Sequence, residues 1–236
     1  NEKIVELLLA ASALRDGGTS RLVLVVPYLA YMRQDIAFHP GEAVSQRVIG
    51  RLLAEHCDAL LTLDPHLHRT PSLGEVMPGI EAVSVSAAPV LAAALDEDAD
   101  PLLVGPDEES RQWVEAIARP RGLEFLLGSK RRLGDCEVDL AIDGIERAAG
   151  RAVVLVDDLV SSGGTLKASA RLLRGAGAAR IEALATHCLA PQEDLDEIRS
   201  AGIASLRATD TVAGPAGSLP IAGLLAAELR QRGWLN

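Results

Sequence analysis

The amino-acid sequence predicts an α/β fold with two tandem domains, each built on a mainly parallel sheet. Short apolar, β-branched segments alternate with segments of helical periodicity along the chain, which is the pattern of parallel strands joined by helical crossovers. Polar clusters follow several of the strand segments, where open α/β sheets bind their ligands. The 236 residues, of which 48% are hydrophobic, are enough for two small cores.

The predicted first domain covers residues 1–78 and begins with a helix. Apolar residues recur with helical spacing over residues 4–14, and two glycines at 17 and 18 end the pattern. Two compact apolar segments then predict strands, with an amphipathic helix between them. These elements are a strand at 21–26, a helix at 44–56 and a strand at 59–63, and the strand at 59–63 is stopped by Asp64 and Pro65. A turn-rich segment at 75–79 is the expected domain boundary.

The predicted second domain covers residues 79–236 and repeats the alternation. Glycine, proline and aspartate punctuate its strands, and glycines follow the helix that ends near residue 174. The expected strands are residues 102–104, 124–127, 152–156 and 181–186. The expected helices are residues 90–95, 110–119, 165–174, 194–201 and 221–231.

Composition limits the classes of partner. The net charge of −10 argues against a nucleic-acid-binding surface, which needs a basic face. Three widely separated cysteines (Cys57, Cys136 and Cys188) are typical of reduced thiols in a cytoplasmic protein. No stretch has the length of a membrane-spanning helix, and no signal peptide is visible. We therefore expect a cytoplasmic protein without a nucleic-acid or membrane partner.

Residues 153–165 form the most informative segment, with the sequence Val-Val-Leu-Val-Asp-Asp-Leu-Val-Ser-Ser-Gly-Gly-Thr. An apolar strand ends at two acids, Asp157 and Asp158, and a hydroxyl- and glycine-rich loop then leads into a helix. Loop N–H groups and a helix amino end bind phosphate, and paired acids bind hydroxyls or a metal. Such residues can also merely end a strand and cap a helix. The combination favours a sugar-phosphate site, and it resembles the phosphoribosyl-pyrophosphate loop of type I phosphoribosyltransferases.

Three other polar clusters follow predicted strands. Residues 28–35 contain Tyr, Arg and Gln, which suit a base and phosphates, but a solvated loop explains them equally well. Asp64 and His66 could bind a divalent cation, although surface histidines also occur by chance. Residues 130–132, Lys-Arg-Arg, are either a solvated basic turn or cations that stabilise a transferring phosphoryl group.

Taken in order, these segments resemble the ribose-phosphate diphosphokinases, also called phosphoribosyl-pyrophosphate synthetases. The resemblance covers nearly the whole chain and is greatest to the archaeal-type branch. Residues 108–111 stand where that family has a glycine-rich continuation, and we expect this difference to affect metal or ribose binding. The segments that carry the resemblance are residues 31–35, 38–42 with Ser45, 64–66, 105–107, 130–132, 156–165, 186–187 and 209–211.

The resemblance implies two tandem phosphoribosyltransferase-like domains of type I, with the helix at 221–231 packing back on the first. Residues 1–78 would form the nucleotide side and residues 79–236 the ribose 5-phosphate side. The implied reaction is a Mg²⁺-dependent transfer of the diphosphoryl group of ATP to the 1-hydroxyl of ribose 5-phosphate, which releases AMP. The implied partners are these two substrates and further copies of the chain, with the active site near a subunit interface of a homo-oligomer.

The resemblance also implies a role for each matching residue. Lys130 and Arg132 would be catalytic, and Arg132 would also lie near the sugar phosphate. Arg33, Gln34 and His66 would bind the nucleotide, and His66 and Asp107 would be linked to the metal. Ribose 5-phosphate would be held by Asp157, Asp158, Ser161, Ser162, Gly163, Gly164 and Thr165.

Two alternative functions stay open at the level of sequence. A phosphoribosyltransferase that consumes the diphosphate explains the 157–165 loop equally well, but not Arg33, Gln34 and His66. A non-catalytic regulatory subunit of the synthetase family would keep the fold, but here both Lys130 and Arg132 are present. The family's region ahead of the first helix, with its opening strands and an adenine-binding loop, is not in the sequence. We therefore expect these residues to be part of a longer protein.

Overall fold

The fold was analysed in a computed structural model. It describes residues 1–37, 39–96, 100–132 and 138–235, and the side chains of 130–132 and 138–139 lie outside that description. The chain divides into two units, one formed by Asn1–Val85 with Glu228–Asn236 and the other by Ser86–Ala227.

Unit 1 contains a three-stranded parallel sheet with the order β1-β2-β3. Its core is formed by apolar side chains of the sheet and of the helices beside it, such as Leu60, Leu53 and Met77. The register pairs Val26 with Thr62 and Thr62 with Ser84. The carboxyl ends of the strands therefore lie at one edge of the sheet. The elements are α1 (Glu2–Asp16), β1 (Val23–Val26), α2 (Ser45–Ala54), β2 (Ala59–Leu63), α3 (Leu73–Val76) and β3 (Glu81–Val85).

Unit 2 contains a seven-stranded sheet in which all neighbours are parallel except one pair, β5 with β6. Its helices are α4 (Ala88–Ala93), α5 (Arg111–Arg121), α6 (Gly164–Gly175), α7 (Gln192–Ser200) and the start of α8 (Ala222–Gln231). Its strands are β4 (Leu102–Gly105), β5 (Phe125–Arg132), β6 (Val138–Ile142), β7 (Ala152–Val160), β8 (Arg180–Cys188), β9 (Ser205–Thr209) and β10 (Gly217–Leu219).

Helices lie on both faces of this sheet. One core joins α6 and α7 to one face, and the other joins α4 and α5 to the opposite face. Alternate residues of β7 enter the two cores: Leu155 packs in the first and Val156 in the second. The strand order β10-β9-β8-β7-β4-β5-β6 places β7 at the centre, with β4 and then β5 beside it. The predicted fold class, α/β with mainly parallel sheets, is confirmed.

Two strands continue through charged residues at which the sequence pattern predicts their ends. The predicted strand at 152–156 continues through Val160, because Leu159 and Val160 pair with His187 and Cys188 of β8. The strand at 124–127 continues to Arg132, because antiparallel β6 pairs with its charged end. In β7 and in β5, the charged side chains predict the end of the strand. The backbone nevertheless continues as a strand because it pairs with the neighbouring strand.

The boundary expected at 75–79 lies ahead of β3. That strand pairs with β2, so the sheet of unit 1 continues to Val85. The residues that follow Ala227 belong to unit 1, where Arg232 forms an ion pair with Glu81 at 2.8 Å. The division of the chain into a nucleotide domain and a ribose 5-phosphate domain stays a prediction, as does the packing of the helix at 221–231.

Cys57 and Cys188 are free and buried, and burial raises the pKa of both thiols. Cys136 lies outside the described residues. Within the described ranges, none of the helices combines the length and the apolar character needed to cross a bilayer.

Candidate active site

The loop between β7 and α6 has the geometry of an anion site. Gly163 occupies the N-cap of α6 in the left-handed conformation, with φ of 68°. Its carbonyl accepts a hydrogen bond from Lys167 N at 2.8 Å. No side chain in the described part of the chain caps this helix. The N–H groups of Gly164 and Thr165, at the positive end of the helix dipole, are therefore suited to a phosphate.

Only glycine fits at the turn of this loop. A Cβ atom at Gly163 would overlap the side chain of Ile198 on α7, and the positive φ disfavours any other residue. Gly163 is itself buried, whereas Ser161 and Ser162 are exposed. The loop therefore turns tightly against the core and leaves two hydroxyl groups facing outward.

Asp157 and Asp158 lie within β7, immediately ahead of the loop. Asp158 N donates a hydrogen bond to Asp157 Oδ1 at 3.0 Å. Burial raises the pKa of Asp157 well above its usual range, and the neighbouring charges of Asp158 and Asp107 raise it further. Two adjacent acids immediately ahead of the loop are suited to forming hydrogen bonds with hydroxyl groups.

Asp107 reaches this cluster from the adjacent strand. It follows β4, and its Oδ1 accepts hydrogen bonds from Glu109 N at 3.1 Å and Ser110 N at 3.3 Å. Ser110 closes a capping box around the short 3₁₀ turn Glu108–Ser110. Because Val104 of β4 pairs with Leu155 of β7, Asp107 and Asp157 follow these residues at the same edge of the sheet. The charge of Asp107 contributes to the raised pKa of Asp157.

The predicted catalytic cations, Lys130 and Arg132, lie in β5. The sequence pattern placed them after a strand, but their backbones pair with Leu140 and Val138 of β6. Their side chains lie outside the described part of the structure. At Gly128 a Cβ atom would overlap the carbonyl of Pro106, so glycine permits the close approach of β5 to the segment ahead of Asp107.

The segment that follows β1 carries two predicted nucleotide-binding residues. Arg33 is exposed, whereas Gln34 is partly buried. The Gln34 side chain donates to Ala43 O at 2.5 Å and accepts from Ser45 N at 3.1 Å. Gln34 thus holds the start of α2, and Tyr31, which has φ of 69°, turns the chain ahead of both residues.

The segment that follows β2 carries the predicted histidine. Asp64 is buried with φ of 31°, and its N–H donates to Val85 O at 3.0 Å. The ring of His66 lies 6.1 Å from that of His68. Over the ranges that the structure describes, no cluster of three or more His, Cys, Asp or Glu residues could hold a metal ion. Of the two predicted metal ligands, His66 belongs to unit 1 and Asp107 to unit 2.

Sequence patterns missed the residues that join the two segments of unit 1. The buried carboxylate of Asp35 pairs with Arg69 at 3.0 Å, and the buried amide of Gln46 accepts a hydrogen bond from Thr70 at 2.8 Å. The Asp35 and Arg69 positions are 34 residues apart in the sequence. No local pattern relates such positions, and only the parallel pairing of β1 with β2 brings their segments together.

A second buried network lies at the carboxyl ends of β8 and β9. His187 Nδ1 lies 2.8 Å from Thr211 Oγ1. The hydroxyl of Thr209 donates to Thr186 O at 2.5 Å, and that of Thr211 donates to the same carbonyl at 3.2 Å. These residues stand where the sequence resembles the family, and the network fixes the corner that follows β9.

Two family models match the chain. The phosphoribosyl transferase domain matches residues 87–201, and the N-terminal domain of ribose phosphate pyrophosphokinase matches residues 1–56. The ribose-phosphate pyrophosphokinase of Methanopyrus kandleri is 36% identical over 218 residues, which are 91% of this chain and 73% of the relative. The corresponding protein of Thermococcus kodakarensis is 36% identical over 222 residues, or 94% of this chain and 77% of the relative.

This chain belongs to the ribose-phosphate pyrophosphokinase family. The predicted family and its archaeal-type resemblance are thereby confirmed. Among solved structures, the phosphoribosylpyrophosphate synthetase of Mycobacterium smegmatis matches with a TM-score of 0.82 and 24% identity, over 98% of this chain and 78% of that chain. At that identity the match supports the fold alone, and it agrees with the α/β architecture described above.

Proposed function

We propose that this chain is a ribose-phosphate diphosphokinase. It transfers the β,γ-diphosphoryl group of ATP to the 1-hydroxyl of ribose 5-phosphate and so forms phosphoribosyl pyrophosphate and AMP. The relatives named ribose-phosphate pyrophosphokinase support this reaction. The single structural observation that carries it is the loop at the amino end of α6, preceded by two carboxylates on β7.

The acceptor, ribose 5-phosphate, is assigned to unit 2. The N–H groups of Gly164 and Thr165 and the hydroxyls of Ser161 and Ser162 would bind its 5-phosphate, with Gly163 shaping the turn. Asp157 and Asp158, immediately ahead of the loop, would accept hydrogen bonds from the ribose hydroxyls. A phosphate held at one end and hydroxyls at the other would fix the direction of the 1-hydroxyl, which must attack in line.

The donor, ATP, is assigned to unit 1. Arg33 is exposed in the segment that follows β1 and would contact phosphate oxygens. Gln34 would support the same site by holding residues 43–45 in place. His66, after β2, completes the proposed nucleotide side. The active site is proposed to lie near a subunit interface of a homo-oligomer.

The residues of unit 2 also suit Mg²⁺, which is the proposed cofactor. Mg²⁺ prefers carboxylate oxygens and keeps several waters, so a sparse set of protein ligands is sufficient. Asp107 lies close enough to raise the pKa of Asp157, and a bound cation would relieve this repulsion. Asp107 is the proposed ligand of unit 2 and His66 that of unit 1. When bound, the ion neutralises charge on the phosphate oxygens of ATP.

Lys130 and Arg132 are the proposed catalytic residues. Their strand lies beside β4, and Asp107 stands two residues after the end of β4. Cations near the transferring diphosphoryl group stabilise the charge that builds up on its oxygens. Arg132 would also lie close to the sugar phosphate.

Product analysis tests this proposal. The purified protein is incubated with ATP, Mg²⁺ and ribose 5-phosphate, and adenine nucleotides are separated with time. AMP should form in equal amounts with phosphoribosyl pyrophosphate, and only when ribose 5-phosphate is present. ADP as the product, or an absence of AMP, would refute the diphosphokinase assignment.

Two further measurements separate the two alternatives. A phosphoribosyltransferase would consume phosphoribosyl pyrophosphate in the presence of a base and release diphosphate. A regulatory subunit would bind its ligands without turnover. The match of residues 1–56 to the N-terminal domain of ribose phosphate pyrophosphokinase favours the synthetase family over a phosphoribosyltransferase.

A further inference from the structure

An ion pair joins the segments that follow β1 and β2 in unit 1. The carboxylate of Asp35 accepts hydrogen bonds from Arg69 N at 3.1 Å and from Arg69 Nη1 at 3.0 and 3.3 Å. The backbone and the guanidinium of one residue therefore hold the same carboxylate. Asp35 directly follows Arg33 and Gln34, and Arg69 lies shortly after His66.

Gln46 forms a second connection between the same two segments. Its side chain is buried and lies at the start of α2. The amide Nε2 donates to Met32 O at 3.0 Å, and Oε1 accepts from Thr70 Oγ1 at 2.8 Å. Met32 and Asp35 lie on either side of the two predicted nucleotide-binding residues. Both ends of that short segment are thus attached to the segment after β2.

Asp35 and Arg69 are buried to different extents, and this difference indicates the role of Arg69. The Asp35 side chain is 1% exposed and that of Arg69 is 50% exposed. A buried carboxylate requires its partners, because an unpaired charge in the interior is strongly unfavourable. The half-exposed arginine adds little to the apolar core. Its contribution is to hold Asp35, and through Asp35 the segment that carries Arg33 and Gln34.

We propose that Arg69, acting through Asp35, is a positioning residue for the nucleotide side of the site. It holds the Arg33–Gln34 segment at a fixed distance from the His66 segment. This inference rests on the proposed function, since it assigns the nucleotide to these two segments. Loss of the connection should weaken nucleotide binding and leave ribose 5-phosphate binding unchanged, because that substrate is assigned to unit 2.

Three variants test the inference: Arg69→Ala, Asp35→Asn and the double variant. Each should raise KM for ATP by about tenfold, since small misplacements of binding groups have effects of this size or larger. KM for ribose 5-phosphate should stay within about twofold of the wild type. The double variant should have the same KM for ATP as each single variant, because the two residues act as one unit.

Stability measurements on the same variants separate positioning from a purely structural role. Arg69→Ala leaves a buried charge without its partner and should lower the midpoint of urea unfolding. Adding Asp35→Asn removes that charge and should restore much of the midpoint, while KM for ATP stays high. Recovery of KM together with stability would overturn the proposal. So would a normal KM for ATP in Asp35→Asn, since Arg69 would then act on the nucleotide directly.

A matched control exists in the same unit. Arg15 pairs with Asp58 at 2.6 Å, and Asp58 also accepts a hydrogen bond from Leu22 N at 2.5 Å. This pair lies at the amino ends of β1 and β2, opposite the proposed nucleotide side. Arg15→Ala should leave both KM values unchanged, and an increase in KM for ATP equal to that of Arg69→Ala would contradict the inference.

Direct binding distinguishes failure of this inference from failure of the proposed function. Calorimetric titration with a non-hydrolysable ATP analogue and Mg²⁺ needs no turnover. If the wild type forms no AMP but binds the analogue more tightly than Arg69→Ala and Asp35→Asn do, the proposed reaction fails and the positioning role stands. Equal binding by wild type and variants, or no binding by any of them, overturns the positioning role.

Discussion

The two proposed substrate regions are built in different ways. In unit 2, the proposed phosphate loop consists of consecutive residues between β7 and α6, and its proposed ligands include the backbone N–H groups of Gly164 and Thr165. In unit 1, the nucleotide side consists of two segments that are joined by side chains, chiefly Asp35 with Arg69 and Gln46 with Thr70. The first region is fixed by a strand and a helix, and the second by a few polar contacts.

This difference suggests how each region tolerates change. A backbone site loses its geometry only when the turn itself is altered, because most side-chain changes leave the N–H groups in place. A site held by side chains can be loosened by one substitution far from the ligand. The comparison between the two regions is therefore tested by two kinds of variant. One kind changes the chemical step without changing substrate binding, and the other changes either the backbone of a site or a side chain that supports it.

The largest effect is expected from Lys130→Ala, which should affect neither binding region. A cation that acts on the transferring group stabilises the transition state, so its removal should lower kcat by roughly 10²–10³-fold. Calorimetric titration of ribose 5-phosphate should give a Kd close to that of the wild type. Arg131→Ala is the matched control, since the family resemblance assigns roles to the residues on either side of it. A comparable fall in ribose 5-phosphate affinity would show that Lys130 holds the acceptor instead.

Gly163→Ala should damage the phosphate loop through its backbone. The added methyl group would overlap Ile198, and φ of 68° is unfavourable for alanine. We expect a loss of about 1–3 kcal/mol in the free energy of unfolding, measured in urea, together with weaker ribose 5-phosphate binding.

The control for this variant is Gly175→Ala at the other end of α6, where an added Cβ meets nothing within 4 Å. Alanine is favoured over glycine in a helix, so this change should be neutral or slightly stabilising. Should Gly163→Ala leave both stability and ribose 5-phosphate affinity unchanged, the backbone description of the loop would be incorrect.

The sequence predicted the turn between β7 and α6 well because its determinants are contiguous. A β-branched run, two acids, a glycine pair and a helix start together indicate strand, turn and anion site. The extent of β7 was less predictable. Asp157 and Asp158 were interpreted as the end of the strand, whereas pairing with β8 carries the strand to Val160. The charged residues lie within the strand because its backbone pairs with β8 on either side of Asp158.

The connections in unit 1 were not predictable in the same way. Gln46 and Arg69 have the pattern of ordinary polar residues, and Asp35 is only the last residue of the 31–35 segment. Neither the spacing of the three residues nor their neighbours relates them. They meet only because β1 and β2 are parallel neighbours. The strand at Glu81–Val85 was missed for a related reason. It is short and only partly buried, and its assignment depends on pairing with β2.

The smallest of these effects is expected from Asp157→Asn, and it appears as a change in pH dependence. Burial and the charges of Asp158 and Asp107 raise the pKa of Asp157 in the folded protein. The folded state therefore holds this proton more tightly than the unfolded state does. As the pH rises above the ordinary aspartate pKa of about 4, the wild type should lose the stability that the proton provides, until the raised pKa is passed.

Asparagine does not titrate, so Asp157→Asn should gain stability relative to the wild type as the pH increases through that range. Urea unfolding without Mg²⁺ at a series of pH values measures this difference, because a bound cation would itself favour the ionised acid. A difference that stays constant across the pH series would mean that the pKa of Asp157 is not shifted, and that Asp157 does not hold a proton in the folded protein. Weaker ribose 5-phosphate binding by Asp157→Asn at neutral pH would then indicate that the ribose requires the ionised carboxylate.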